Sequence, residues 1–413
     1  MAVDISTIKA DFPIFDRKIN GKPVVYLDSG ATSQKPRAVL EAMDNYYRNH
    51  SASVNRGAYQ LAAEANDLAD DARASVARFI GAPHPHEIIF TKNATEAMNL
   101  FAYSWGHANL DKGDVVVITE MEHHANIIPW HMLVQSRGIE LRWIPLTESG
   151  ELDLSDLDSI IDGAKLVSVT AMSNVLGTIN PIRRIADAAH GVGAVMMADG
   201  SQYVPHIPTN VVDMGVDAMV FTGHKMLGPT GIGVLWGKTE LLEAMPPFLG
   251  GGDMILQVTK EGFTTNALPH KFEAGTPMVA EIVGLGAAVK YLENIGMENV
   301  REHEVSLTAY AMRTLKERFG DDITIHGPPE PASRGGLLSM EYKGVHPHDL
   351  SQVLDQANVC VRAGHHCAKP LMQLMGVNST ARASLHIYND EADVDALADA
   401  LESADDIFGG LGF

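Results

Sequence analysis

From residue 87 to residue 236 the chain alternates short apolar runs with helix-length segments. The runs are 87–90, 115–118, 141–144, 166–170, 194–198 and 218–221, and 233–236 returns along them. Helical segments open at Asn93, span 127–136 and 154–161, and open again near Pro181. Short apolar runs bounded by turns read as buried strands, and their alternation with helices predicts a mostly parallel central sheet wrapped by helices. The predicted class is α/β. In such sheets ligands collect at the carboxyl ends of the strands, so the polar residues that close each run bear on chemistry.

The run 218–221 closes on Thr222-Gly223-His224-Lys225. A lysine in a tight, partly dry site has a lowered pKa and a free amine, which suits Schiff-base chemistry. Taken alone, a loop lysine is a surface residue. Asp199 closes the preceding run, 26 residues earlier. An aspartate beside a pyridine nitrogen keeps it protonated, so the ring can withdraw electrons. Its bland alternative is a turn or cap residue. At 92–96 a strand runs into a helix, where the N–H groups around Ala94 and the Thr95 hydroxyl suit a phosphate; a plain N-cap at Thr95 fits equally well. Thr222 and His224 flank the lysine and suit the same anion.

His123, just after the run 115–118, suits stacking on a flat cofactor and acid–base work, or is a solvated loop histidine. Asn174 and Gln202 also follow strand ends and suit hydrogen bonds to a ring oxygen. Cys367, in Arg362-Ala363-Gly364-His365-His366-Cys367, lies in a polar turn that suits a mobile, exposed nucleophile. Cys360 lies in an apolar run and reads as structural. Adjacent His365, His366 and Cys367 lack the four-ligand spacing of structural zinc, so no metal is expected. Arg382, in a short apolar stretch, needs a carboxylate, from a substrate or from an acid elsewhere in the chain.

The rest of the chain frames this sheet. Residues 1–20 read as a short helical arm, 24–27 as a strand, and 61–80 as an amphipathic helix. Residues 247–276 show little periodicity, which marks a functional or interface segment. A long helical region at 279–319 and an α+β pattern beyond it predict a second domain. The expected division is an arm at 1–20, a large cofactor-binding domain at 21–290 and a small C-terminal domain at 291–413. A formal net charge of -21 argues against nucleic acid and anionic membranes. Two cysteines fit a reducing cytoplasm. Neither a secretory signal nor a transmembrane run is expected.

Five ordered motifs carry a resemblance: Glu122-His123-His124-Ala125-Asn126, Ser173-Asn174-Val175-Leu176-Gly177, Thr222-Gly223-His224-Lys225, Phe272-Glu273-Ala274-Gly275-Thr276-Pro277 and Arg362-Ala363-Gly364-His365-His366-Cys367-Ala368. The chain resembles the SufS-type (group II) cysteine desulfurases, in the class V aminotransferase family of pyridoxal-phosphate fold-type I. The resemblance implies a cytoplasmic homodimer that binds pyridoxal 5'-phosphate and converts L-cysteine to L-alanine. Sulfur would pass as a Cys367 persulfide to an acceptor of the SufE or SufU type, for iron–sulfur cluster assembly, with selenocysteine lyase as a side activity. It implies that Lys225 carries the cofactor, Asp199 pairs with the pyridine nitrogen, Gln202 faces the ring hydroxyl and His123 stacks on the ring. Ala94, Thr95, Thr222 and His224 hold the phosphate, and Thr276 reaches the phosphate of a partner subunit's cofactor. Asn174 and Arg382 take the substrate carboxylate, Arg56 lies near the site, and Arg362 supports the cysteine segment. Gly30 and Tyr59 depart from the wording common in relatives.

Overall fold

The computed structural model describes residues 4–55 and 57–408. Among them, seven strands form the central sheet in the order Ile88–Thr91, Gly233–Gly237, Ala218–Thr222, Val195–Asp199, Ala164–Thr170, Val115–Thr119 and Glu140–Ile144. All run parallel except Gly233–Gly237, which is antiparallel to both neighbours. Alternate residues feed two apolar layers. Val117, Val167, Met196 and Met219 join one core, and Ile118, Leu166, Met197 and Val220 join the other. Both faces are therefore covered, as continuous apolar runs require. The register sets Thr170 beside Asp199, Asp199 beside Val220, and Thr222 and Thr91 on either side of Gly233. The polar residues that close the runs thus stand along one edge of the sheet.

A second, antiparallel sheet takes the order Ile323–Ile325, Leu337–Tyr342, Thr380–Ser384, Arg362–Gly364. Its core draws Leu307 and Leu315 from the helix Met297–Phe319, Leu354 from Pro347–Gln356, and Leu397 and Leu401 from Glu391–Phe408. Leu27, from near the N-terminus, completes it. Within the arm, the helix Ile5–Ala10 and the turn Pro13–Asp16 bury Ile8 and Phe12, and Lys9 pairs with Asp393 at 2.9 Å.

Two expectations change, and one segment gains structure. The region 279–319 is two helices, Val279–Ile295 and Met297–Phe319, broken at Gly296, whose φ of +87° suits glycine. The run 359–362 divides between two sheets. Val359–Cys360 pairs with Val25–Tyr26, whereas Arg362–Gly364 pairs with Thr380–Ser384, so Cys360 is half-buried rather than in a core. The segment 247–276 is ordered: Ile255–Val258 and Phe263–Thr265 form a hairpin. Beyond the hairpin, Glu273 fastens the chain to the sheet. Its carboxylate receives Arg73 Nη1 and Nη2, each at 2.8 Å, and the Phe90 N–H at 2.7 Å. A buried bidentate pair with a further donor fixes position as well as charge. Among the described residues, no helix is long and apolar enough to cross a membrane.

Candidate active site

One pocket gathers residues at or just beyond the ends of five strands of the central sheet, together with Arg362, Cys367 and Arg382 from the second sheet and its loops. Lys225 ends the turn Gly223–Lys225, directly after Ala218–Thr222. Burial lowers its pKa to about 8, while the charge of Asp199 pulls it back up. Asp199 is buried at the end of Val195–Asp199, and its Oδ1 accepts the Ser201 N–H at 2.9 Å. His123 also lines the pocket. Burial, then the charge of Lys225, depresses its pKa to about 3, so the ring is neutral. Its Nδ1 accepts the Ala125 N–H at 3.1 Å, which leaves the ring proton on Nε2.

The opposite wall suits an anion. The helix Ala94–Phe101 starts beside the pocket, and its first N–H groups lack intrahelical acceptors. Asn93, not Thr95, is the N-cap: its side chain accepts the Glu96 N–H at 2.8 Å. The Thr95 residue is exposed and lines the pocket with Ala94. Gly233 is what lets this turn approach, since a Cβ there would stand 2.3 Å from the Asn93 carbonyl carbon. Thr222 is buried, and its hydroxyl donates to the Ile232 carbonyl at 3.3 Å. His224 is neutral, its pKa lowered to about 4 by burial and by Lys225.

Gln202 donates through Nε2 to the Gly30 carbonyl at 2.7 Å, while its buried Oε1 has no hydrogen-bond partner among the described residues. The Gly30 N–H in turn donates to Ser384 Oγ at 2.8 Å, so both backbone contacts of this unusual glycine are made. An orphaned carbonyl, a carboxylate, an amine and a helix N-terminus around one pocket fit a flat polar ring that carries a phosphate.

Arg382 is buried, and burial lowers its pKa to about 10. Its Nη1 donates to the Asn174 carbonyl at 2.7 Å, its Nη2 lies 3.5 Å from Asp28, and its Nε has no hydrogen-bond partner among the described residues. Arg362 reaches the other oxygen of Asp28 at 3.4 Å. The acid left unidentified by the sequence is Asp28. It sets the two arginines toward the pocket without exhausting their donors. Asn174 Nδ2 donates to the His366 carbonyl at 2.7 Å and so holds the cysteine turn.

Cys367 is exposed, lines the same pocket, and has a left-handed φ of +55° after His366 at +49°. The turn is anchored by His124, whose N–H donates to the Cys367 carbonyl at 2.7 Å and whose Nε2 accepts the Lys369 N–H at 3.1 Å. Thr276 is exposed and outside this pocket. Arg56 lies outside the described residues.

Two buried groups escaped sequence reasoning. Glu122 accepts from Thr119 Oγ1 (2.8 Å), Asn126 Nδ2 (2.7 Å) and the Thr170 N–H (2.8 Å), and burial raises its pKa to about 8. Its signal was a carboxylate four residues past an apolar run. His206, Glu304 and His386 place ligand-type atoms within 4.8 Å of one another. Both nitrogens of His386 are engaged, by the Lys225 carbonyl at 3.3 Å and the Ile387 N–H at 2.8 Å, and His206 bonds Glu304 at 2.9 Å. The group is a hydrogen-bond network.

A buried lysine of lowered pKa and a carboxylate, both at strand carboxyl ends of an α/β sheet, line one pocket suited to amine chemistry. The chain belongs to the aminotransferase class-V family, whose sequence pattern matches residues 25–397. It is 50% identical to a probable cysteine desulfurase of Streptomyces coelicolor, over 98% of each chain. The apo structure of the cysteine desulfurase from Thermococcus onnurineus superposes with a TM-score of 0.93 at 37% identity, over 98% of both chains. The S-sulfonic acid form of the Escherichia coli cysteine desulfurase CsdA gives 0.90 at 35% identity, over 98% of this chain and 100% of that one.

Proposed function

We propose that this enzyme is a pyridoxal-phosphate-dependent cysteine desulfurase, releasing L-alanine from L-cysteine and holding the sulfur on Cys367. The observation that carries the reading is that Cys367 and Lys225 face one pocket, close enough for the charge of Cys367 to act on Lys225. Pyridoxal phosphate, when bound, supplies the electron sink that acidifies the substrate Cα–H and weakens the C–S bond. Asp199 would hold its ring nitrogen, Gln202 its ring hydroxyl, His123 one face, and Ala94, Thr95, Thr222 and His224 its phosphate.

Arg382, set by Asp28, and Asn174 orient the substrate carboxylate, and Arg362 supports the cysteine side of the pocket. The Lys225 amine takes the Cα proton. Neutral His123 relays a proton through Nε2. The Cys367 thiolate attacks the substrate sulfur: an S–S bond forms, the C–S bond breaks, and its electron pair stays with the carbon skeleton. That skeleton is then protonated to L-alanine. Cys367 keeps a persulfide and passes the outer sulfur to a thiol of a SufE- or SufU-type acceptor, in a cytoplasmic homodimer serving iron–sulfur cluster assembly.

The test is chemical trapping. After L-cysteine and alkylation, the extra sulfur maps to Cys367 and not Cys360. Cys367→Ala forms no L-alanine from L-cysteine yet keeps the cofactor's visible absorption. Full sulfide release by Cys367→Ala would refute this assignment.

A further inference from the structure

Lys225 must hold its amine at one point while substrate and protons change around it, so its backbone has to be fixed. Two peptide oxygens flank it. The His224 carbonyl accepts from the Ser33 N–H at 2.8 Å, Ser33 Oγ and Thr32 Oγ1 at 3.1 Å, and Lys35 Nζ at 3.2 Å. Ser33 Oγ also accepts the Leu227 N–H at 2.8 Å. This side of the turn is clamped from within the large domain's N-terminal segment. The Lys225 carbonyl is served from elsewhere: His386, just beyond the strand Thr380–Ser384, stands 3.3 Å away through Nε2.

We propose that His386 is a positioning residue for Lys225, tying the catalytic turn to the small domain through the Lys225 carbonyl. The inference rests on the lysine-dependent reading above. His386 is fully buried and does not line the pocket, so it acts only through Lys225. The Ile387 N–H occupies its Nδ1 at 2.8 Å, which fixes the ring proton on Nε2, toward the carbonyl. The ring is held by Tyr388, stacked at 5.2 Å and 12°, and by His206 at 4.8 Å. Behind it lies buried Glu304, 4.0 Å from Nδ1 and bonded to His206 at 2.9 Å. A helix of the small domain, a loop of the large one and the catalytic turn thus meet at one imidazole.

The experiment compares His386→Phe, which keeps a ring but has no donor, with His386→Gln, which restores an N–H. Three quantities are read on protein loaded with pyridoxal phosphate: kcat and KM for L-cysteine, the pH midpoint of the visible absorption without substrate, and the thermal unfolding temperature. For His386→Phe we expect kcat to fall about tenfold with KM within about twofold. The absorption midpoint should move by about one pH unit. His386→Gln should recover most of both. A phenylalanine variant with wild-type kcat and midpoint overturns the proposal, as does a glutamine variant equally impaired. The substrate-free midpoint reads positioning separately from desulfuration, so wild type failing to release L-alanine would refute the proposed function alone.

Discussion

Lys225 sits between two opposing influences: burial lowers its pKa to about 8, and Asp199 acts to raise it. At its usual value near 10.5 the amine would be almost wholly protonated at neutral pH; at about 8, roughly a tenth is free at pH 7. The base is the deprotonated form, so kcat should climb as pH rises, with a limb centred near 8. kcat is the quantity to follow, because it reports groups in the substrate-bound enzyme. Asp199→Asn removes the raising charge and should move the limb to lower pH. A limb near 10.5 would show that the amine is not desolvated. Lys225, Asp199 and Cys367 were legible in sequence because each closes an apolar run or sits in a glycine-bearing polar turn. Asp28, His124 and His386 were not, because each acts on a partner far away in the chain: Arg382, Cys367 and Lys225. Only the fold brings those pairs together.

The proposed anion site depends on two elements lying closer than any side chain allows. A Cβ at Gly233 would meet the Asn93 carbonyl carbon at 2.3 Å and the Ala94 N at 2.7 Å. Both are backbone atoms that cannot swing aside, and the strand Gly233–Gly237 is held by a neighbour on each side. The turn bearing Ala94 and Thr95 must therefore withdraw in Gly233→Ala. We expect pyridoxal phosphate to bind at least about tenfold more weakly, read by titrating the visible absorption of stripped protein. Unchanged affinity would mean that this helix N-terminus does not hold the phosphate. The sheet strands were readable from sequence because an apolar run buried on both faces has few other uses. The hairpin 255–265 was not, since most of it is exposed on both faces and carries no alternation. The break at Gly296 was hidden because both flanks favour helix. The cores change hands within the second helix: Met297 and Val300 join Val289 and Leu292 in the first core, Leu307 and Leu315 join the second, and we propose that the domains divide between Val300 and Leu307.

On the whole molecule, that same hairpin carries Leu256, Val258 and Phe263 at 70%, 63% and 58% exposure. Apolar side chains grouped on a hairpin mark an interaction surface. Thr276 lies near in sequence, exposed and outside the lining of its own chain's pocket, and Glu273 pins the intervening chain to the sheet edge. We propose that this segment, with a hydroxyl suited to a phosphate, serves a second copy of this chain. Each copy carries a formal charge of -21, so the copies repel at low ionic strength. Salt screens that repulsion within about 10 Å at 0.1 M, while apolar contact persists. Light scattering should therefore give twice the chain mass, with dissociation on dilution easier at low salt than at 1 M. Leu256→Asp combined with Phe263→Asp should yield monomers that retain pyridoxal phosphate poorly. Thr276→Ala should weaken retention while leaving the mass doubled. A wild-type monomer that keeps its cofactor through gel filtration would show that the site is complete in one chain.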